Sequence, residues 1–318
     1  GSVGLICQSG GNTIYLVREA GQRGIRFSKA VSFGNACDIG ATDLLEYMAD
    51  DPDTRIILAY IEGIKKGQKF KQALKRAASK KPVIVHKVGV SQMGAMTAVS
   101  HTGALSGSDS VWDGLLRQVG AIRVYSLDEL LDMAVAFSYL PSSTGRRTAV
   151  VGVGGGATVL LADECTEAGL VMSRIPPKVR EELSILLGDE AGTILNNPID
   201  LSADAWRIGF YQILKILAAC DDVDLGMVQL PFSLTSAPYP RSEVWEFLLQ
   251  EVLKAFPEMG KPVAVVIHFL ALEEDYRWML DAQKRCSEVG IPTFDSVNGA
   301  ARAIARFVRY HERKRSRS

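Results

Sequence analysis

Short apolar runs alternate along the first part of the chain with longer segments in which apolar residues recur every three or four positions. The apolar runs are SVGLIC (2–7), FSKAVSF (27–33), RIILAYI (55–61) and KPVIVHKV (81–88). The segments between them have the period of amphipathic helices: NTIYLVREAGQR (12–23), ATDLLEYMADD (41–51) and QKFKQALKRAAS (68–79). This alternation predicts an α/β fold, in which a parallel sheet has helices on both faces.

The same pattern starts again in the second half of the chain. TAVVGVGGGATVLLADECTEAGL (148–170) parallels VGLICQSGGNTIYLVREAGQRGI (3–25), and two later pieces of the first half recur in the same order at 260–269 and 288–308. Such self-similarity indicates an internal duplication and predicts two doubly wound domains in tandem. We expect a first domain at 1–141, a linker at 142–147 (the polar stretch around PSSTGRRT), a second domain at 148–310 and a basic tail at 311–318.

Composition narrows the class of protein. The chain has 318 residues, with 36 basic and 36 acidic side chains, so its formal charge is zero. That balance argues against nucleic acid or a membrane surface as the main partner. No apolar stretch approaches the roughly 20 residues of a membrane helix. The five cysteines are odd in number and widely spaced, which favours buried thiols in a reducing compartment such as the cytoplasm.

Each half contains a glycine-rich turn between a predicted strand and a predicted helix. The first turn is Ser9, Gly10, Gly11 and Asn12, and the second is Gly154, Gly155, Gly156 and Ala157. Unpaired N–H groups at a helix N-terminus attract anions, so both turns are candidate phosphate cradles. The alternative is that the glycines only allow close helix–strand packing. GVGGGA (152–157) also fits a dinucleotide-binding pattern, but the acidic residue expected roughly 20 positions later is missing.

Two titratable residues follow neighbouring predicted strands. Glu62 closes the run LAYIEGI (58–64), and His101 lies in AVSHTGALSGSD (98–109), a segment with almost no side-chain bulk. A carboxylate that accepts one ring N–H of a histidine leaves the other nitrogen free to react. The alternatives are a surface histidine in a loop and a carboxylate that caps or forms an ion pair. His86 lies within a strand and is interpreted as a core histidine. No metal site is expected, since only Asp109 is close to His101 in sequence.

At this point several motifs resemble the acyl-CoA synthetases (NDP-forming), relatives of succinyl-CoA synthetase. They are SHTGALSGSD, QSGGN, SFGNACDIGATDLLEYMADDPDTRIILAYIEGI and NNPIDL, and the likeness is dense over 3–140 and looser over 148–308. The resemblance implies that both domains are flavodoxin-like CoA-ligase domains.

The resemblance also implies roles for residues. His101 matches the family's phosphorylated histidine, in a loop with Ser100, Thr102 and Gly103, and Glu62 matches the carboxylate that binds its ring. The turns at 9–12 and 154–157 match the starts of two helices that hold the phosphate, one from each domain. Asn197 and Asp200 match a family motif to which the sequence assigns no role, beyond an Asn-Pro turn with a capping Asp.

The implied chemistry is acid + CoA + NTP ⇌ acyl-CoA + NDP + phosphate. CoA, ATP or ADP and Mg²⁺ are then used together with a CoA-binding Rossmann domain and an ATP-grasp domain, which this chain lacks and which are its expected partners. Without them we expect the chain to be inactive. The acid is a small carboxylic acid of unidentified structure, and phosphate or sulfate is expected to fit the His101 site. Self-association is left open.

Two other functions compete with this interpretation. Some protein lysine acetyltransferases resemble these domains but have lost the histidine, so a non-catalytic module that senses acyl-CoA is the main alternative. The presence of both His101 and Glu62 argues against it. A flavodoxin-like electron carrier is a weaker alternative, because QSGGN is followed by Thr13-Ile14-Tyr15 without the signature of a flavin-phosphate loop.

Overall fold

The chain forms two compact units, Gly1–Ser138 and Tyr139–Ser318, in a computed structural model. The structure describes residues 1–91, 93–94, 107–187, 194–201, 205–231, 240–268 and 272–316. The division lies three residues before the expected end of the first domain at 141. The loop with Ser100, His101, Thr102 and Gly103 lies outside the described residues.

The first unit is a parallel five-stranded sheet flanked by helices. Its strands are β1 (Val3–Cys7), β2 (Phe27–Ser32), β3 (Ile56–Ile61), β4 (Val83–Lys87) and β5 (Ile122–Val124). Its helices are α1 (Gly10–Gln22), α2 (Ala41–Asp50), α3 (Gly67–Lys80), α4 (Asp109–Val119) and α5 (Leu127–Tyr139), the last of which crosses the division by one residue. The strand order is β2-β1-β3-β4-β5. The order reverses direction between β1 and β3, and ligands of such sheets bind at this switch point, outside the carboxyl ends of the strands.

The second unit repeats this topology. Its strands are β6 (Arg147–Gly152), β7 (Val171–Met172), β8 (Ile199–Asp200), β9 (Leu225–Pro231), β10 (Val263–His268) and β11 (Thr293–Phe294). Its helices are α6 (Gly155–Ala168), α7 (Pro177–Leu187), α8 (Ala205–Ile208), α9 (Tyr211–Ala218), α10 (Arg241–Met259), α11 (Glu273–Val289) and α12 (Val297–Arg315). The order β11-β10-β9-β6-β7 matches the first sheet, and β8 pairs with β6 beyond the short β7.

The predicted α/β fold with two tandem flavodoxin-like sheets is therefore confirmed. Each unit has its own apolar core. One core centres on residues such as Ile57, Phe70 and Val85 in the first unit, and the other on residues such as Val151, Phe210 and Val265 in the second. In the first unit, Arg23 of α1 and Asp132 of α5 form a buried ion pair at 2.6 Å.

Two expectations need revision at the level of single elements. Cys37 is exposed, whereas Cys7, Cys165, Cys220 and Cys286 are buried as expected. The reason is that Cys37 lies in the loop between β2 and α2 rather than in a strand. Residues 311–315 of the expected basic tail continue helix α12, where Glu312 is held by Arg146 at 2.8 Å between Nε and Oε1.

Candidate functional site

The start of α1 is the first glycine-rich turn, and it is fixed by its own side chains. Ser9 is the N-cap: its hydroxyl accepts the N–H of Asn12 at 3.3 Å, as a cap serine is expected to do. The Ser9 carbonyl accepts hydrogen bonds from the Thr13 hydroxyl at 2.7 Å and the Cys7 thiol at 3.1 Å. The first-turn amides of Gly10 and Gly11 have no acceptor within the helix. Since no acidic residue lies in that turn, the positive end of the helix dipole is uncompensated there.

Gln8 joins this turn to the end of β3. Its side chain is buried, and its Oε1 accepts the N–H groups of Glu62 at 2.8 Å and Gly63 at 3.2 Å, while its own N–H donates to the Tyr60 carbonyl at 3.1 Å. β1 and β3 are neighbours in the sheet, so these bonds close the gap between their carboxyl ends. The position is the switch point of the sheet. The sequence reasoning missed Gln8.

Glu62 follows β3 directly and is only 8 % exposed. β3 pairs with β4 in register, with Ile61 opposite Lys87, and the Val88 N–H donates to the Ile61 carbonyl at 3.0 Å. The segment that leads to the His101 loop therefore starts beside Glu62. The expected adjacency of the two strands is confirmed, while contact between Glu62 and His101 stays a prediction because the loop lies outside the described residues.

Lys87 is a second residue that the sequence reasoning missed. It is the last residue of β4 and only 3 % exposed, and its Nζ donates to the Glu62 carbonyl at 2.8 Å and to the Val88 carbonyl. The ammonium also lies 5.4 Å from the ring centroid of Trp112. Burial and the charge of Arg123 lower its pKa to about 8, against the opposing effects of Asp109 and Glu62. Lys87 thus holds the ends of β3 and β4 together with a buried positive charge.

Two of the other histidines have described surroundings. His86 is buried in β4, as interpreted from the sequence, with its ring edge-on to Tyr60 at 5.4 Å between centroids. Burial lowers its pKa, which favours the neutral ring. His311 packs against Phe307 and Tyr310 on α12, and the side chain of His268 lies outside the described part of the chain.

The second glycine-rich turn starts α6 and differs in its chemistry. Gly154 is its N-cap, with φ of 99° that favours glycine, and Asp200 at the end of β8 accepts the Gly154 N–H at 2.8 Å. Asp200 is 1 % exposed, so a buried carboxylate lies at the N-terminus of α6. In the first turn the corresponding cap is the neutral hydroxyl of Ser9. The second turn therefore presents a buried carboxylate where the first presents a neutral hydroxyl.

Asn197, in the same motif as Asp200, joins strands rather than lining the turn. Its Oδ1 accepts the Val150 N–H at 2.8 Å, and its Nδ2 donates to the carbonyls of Thr148 at 2.6 Å and Ser173 at 3.1 Å. These bonds pair the backbone of β6 between the residues that pair with β7 and those that pair with β8. The motif thus gains a structural role that its sequence did not reveal.

Two further features concern metal binding and membrane insertion. Across the described ranges, no group of three His, Cys, Asp or Glu side chains could hold a metal ion. Within the same ranges, no helix has the length and apolar character needed to cross a bilayer.

Comparisons with known proteins agree with this architecture. Residues 1–137 match the model of the succinyl-CoA ligase like flavodoxin domain. The chain is 34% identical over 303 residues to the alpha subunit of acetate–CoA ligase [ADP-forming] II of Pyrococcus furiosus, covering 95% of this chain and 64% of that subunit. It is 32% identical to the alpha subunit of acetate–CoA ligase [ADP-forming] I of the same organism, covering 99% of this chain and 65% of that subunit.

A solved structure agrees over nearly the whole chain. It is that of Ca. Korarchaeum cryptofilum dinucleotide forming acetyl-coenzyme A synthetase 1 in complex with phosphate and ADP, with a TM-score of 0.79 and 28% identity over 99% of this chain and 66% of that one. This chain thus spans about two thirds of the length of the relatives it matches.

Proposed function

Since the chain belongs to the succinyl-CoA synthetase-like family of NDP-forming acyl-CoA synthetases, we propose that it carries phosphate on His101 between a nucleotide and an organic acid. In the CoA-forming direction, a ring nitrogen of His101 attacks the terminal phosphorus of the nucleotide, and the nucleoside diphosphate leaves. A carboxylate oxygen of the acid then takes the phosphoryl group and frees the imidazole. The CoA thiolate attacks the carbonyl of the acyl phosphate and displaces inorganic phosphate. Such covalent transfer divides one difficult step into easier ones.

The residues of this chain position and stabilise the charges of that reaction. Glu62 accepts one ring N–H of His101, so that the other nitrogen keeps its lone pair and the ring tolerates positive charge as phosphate arrives. The amides at the start of α1 stabilise the phosphoryl oxygens. The buried Lys87 ammonium adds a fixed positive charge at the same sheet edge and anchors the backbone of Glu62.

The observation that carries the proposal is the position of Glu62. A buried carboxylate stands at the switch point of the first sheet, where Gln8 ties its backbone to the end of β1, close to the start of α1. The segment that leads to His101 starts beside it. A non-catalytic module that senses acyl-CoA has no need for a buried carboxylate at the same sheet edge as an anion cradle. The second glycine turn is proposed as a weaker contributor, because the carboxylate of Asp200 lies at its N-cap and disfavours a second anion there.

The other components of the reaction come from partners. We propose that a CoA-binding domain and an ATP-grasp domain, on the same polypeptide or on another subunit, supply CoA and a magnesium nucleotide. The relatives are named for ADP-forming ligation of acetate, and a small carboxylic acid is the corresponding substrate class here. The cytoplasm is the proposed compartment, since the five cysteines are all free thiols.

Phosphorylation of His101 tests the proposal directly. The chain is combined with the CoA-binding and ATP-grasp partner domains and incubated with γ-labelled ATP and magnesium. We expect label that is labile in acid and stable in base, and we expect none in His101→Asn. His311→Asn is the matched control, because the His311 ring packs against Phe307 on α12. Acid-labile label that persists in His101→Asn, or disappears in His311→Asn, contradicts the assignment.

A further inference from the structure

A cavity of about 310 Å³ opens beside the candidate site and shares with it only Gln8 and Gly63. It lies between the loop 33–40 that follows β2 and the segment 63–69 that follows β3. Phe33 and Ile64 line it with apolar surface, and Lys65, Lys66 and Lys69 line it with positive charge. The cavity therefore combines an apolar wall with cations at the carboxyl edge of the sheet.

One of these lysines shapes the wall. Lys65 Nζ donates to the Asn35 carbonyl at 3.1 Å and to the Ala36 carbonyl at 3.4 Å, which ties the loop after β2 to the end of β3. Ala36 has φ of 51°, a left-handed conformation that is uncommon for a residue with a Cβ. The loop is thus held in a specific conformation around the cavity.

The other two lysines lie at the N-terminus of α3, where a positive charge destabilises the helix. Lys66 is the N-cap of α3 and Lys69 lies in its first turn, where the helix dipole disfavours positive charge and no acidic residue compensates. Neither lysine has a carboxylate partner among the residues that the structure describes. A local rule that is broken without a compensating contact marks a candidate functional position.

The start of α2 adds to the positive potential. Ala41 and Thr42, in its first turn, also line the cavity, and their N–H groups have no acceptor within the helix. The two carboxylates of the lining are Asp43, whose Oδ2 is engaged by the Gly40 N–H at 2.9 Å, and the exposed Asp38. Three lysines and two helix N-termini outweigh these two acids.

We propose that this cavity binds an organic oxyanion, with its charged group between Lys66, Lys69 and the first turn of α2 and its carbon skeleton against Phe33 and Ile64. The group is either the carboxylate of an organic acid or the phosphate of a phosphopantetheine compound. Both present the same chemistry to the cavity. The inference does not depend on phosphorylation of His101, because it rests on the cavity alone.

Cys37 provides the test. It lines the cavity and is exposed, while the other four cysteines are buried, so N-ethylmaleimide, which is uncharged, is expected to label one thiol of the native chain. Acetate, butyrate, hexanoate, S-methyl-4′-phosphopantetheine, whose thiol is blocked and cannot consume the maleimide, and inorganic phosphate are added separately at equal ionic strength. Protection is scored as the ratio of labelling rates with and without each compound, and Cys37→Ser identifies the labelled thiol. Amide chemical shifts of residues 33–43 give a second measurement of binding.

We expect either carboxylates, with protection that rises with chain length, or phosphopantetheine to protect Cys37 and to shift those amides. In Lys66→Gln/Lys69→Gln the affinity is expected to fall about tenfold or more, as for loss of charge-assisted hydrogen bonds. Lys75→Gln, an exposed lysine on α3 outside the cavity, is expected to bind as the native chain does. Binding of none of these compounds, binding of inorganic phosphate alone, or equal binding by the double variant overturns the proposal.

Discussion

At the scale of single residues, the site depends on polar side chains that occupy the ends of apolar strands. Gln8, Glu62 and Lys87 each follow or end a buried strand, and each is less than 9 % exposed. A polar group that is removed from water must find partners, and for the side chains of Gln8 and Lys87 these are the backbone groups of neighbouring strand ends. The same bonds that satisfy these side chains therefore set the geometry of the sheet edge.

Replacement of Glu62 by Gln tests its effect on His101. The substitution keeps the shape and removes the charge, so the ring is oriented less well and its positive form is stabilised less. We expect phosphorylation by ATP to slow by roughly 10- to 100-fold without being abolished, in line with the loss of other groups that orient a reactive histidine. Rapid-quench measurement on the reassembled enzyme gives the rate. An unchanged rate, with an unchanged circular dichroism spectrum, would assign Glu62 a structural role only.

Replacement of Lys87 by Met tests its buried charge through pH. The pKa of Lys87 is lowered to about 8 in the folded chain, so above that pH the unfolded chain binds more protons. The free energy of unfolding of the native chain therefore rises with pH, relative to the variant, up to the ordinary lysine pKa. We expect the difference to change by about 1 kcal/mol per pH unit between about pH 8.5 and 10. Urea unfolding at several pH values measures it, and a difference independent of pH contradicts this prediction.

At the scale of secondary-structure elements, apolar runs predict the long strands and miss the short ones. β1, β3 and β4 are buried along their whole length, and their sequences are apolar except for His86 and Lys87 at the end of β4. β7 and β8 have two residues each, too few to show a period. Their place is set by the side chain of Asn197, which pairs backbone groups that lie 24 to 49 positions away in sequence. No local pattern reveals such contacts.

The residues of the candidate site that follow apolar runs could be predicted from the sequence, whereas features set by contacts between distant elements could not. Glu62 and the two turns stand out because a polar or glycine residue follows an apolar run. Gln8 and Lys87 carry the same signal, since each lies at the end of an apolar run. The exposure of Cys37 depends on the path of its loop, which Lys65 fixes from another element. Helix α12 likewise extends to Arg315 through a contact between Arg146 and Glu312 that sequence pattern does not contain.

Asn197→Ala tests whether this side chain substitutes for a strand. The variant leaves the buried N–H of Val150 and two carbonyls without their present partner. We expect the free energy of unfolding of the second unit to fall by about 2–4 kcal/mol, since each unsatisfied buried group costs about 1–3 kcal/mol. Gln212→Ala, an exposed amide on α9, is the control and should change stability by less than about 0.5 kcal/mol. Equal stability of the two variants contradicts the assigned role.

At the scale of the whole molecule, the chain has two units of the same topology whose glycine-rich turns differ in chemistry. Both units have the same strand order and a glycine-rich turn after the first strand. In the first unit that turn is capped by a neutral hydroxyl, whereas in the second a buried carboxylate accepts the N–H of its cap residue. The same fold thus presents an anion-attracting edge in one unit and a more neutral edge in the other.

Because each unit has its own core, we expect a substitution in one core to destabilise that unit alone. Phe70 and Phe210 are each fully buried, one in the core of the first unit and one in that of the second. We expect Phe210→Ala to lower the stability of the second unit by about 3–5 kcal/mol through loss of buried area and creation of a cavity. Hydrogen exchange should then accelerate in β6, β9 and β10 while β1, β3 and β4 keep their protection. Phe70→Ala should give the reverse pattern, because a domain with its own core unfolds as its own unit. Loss of protection in both units after either substitution would show that the two cores unfold cooperatively.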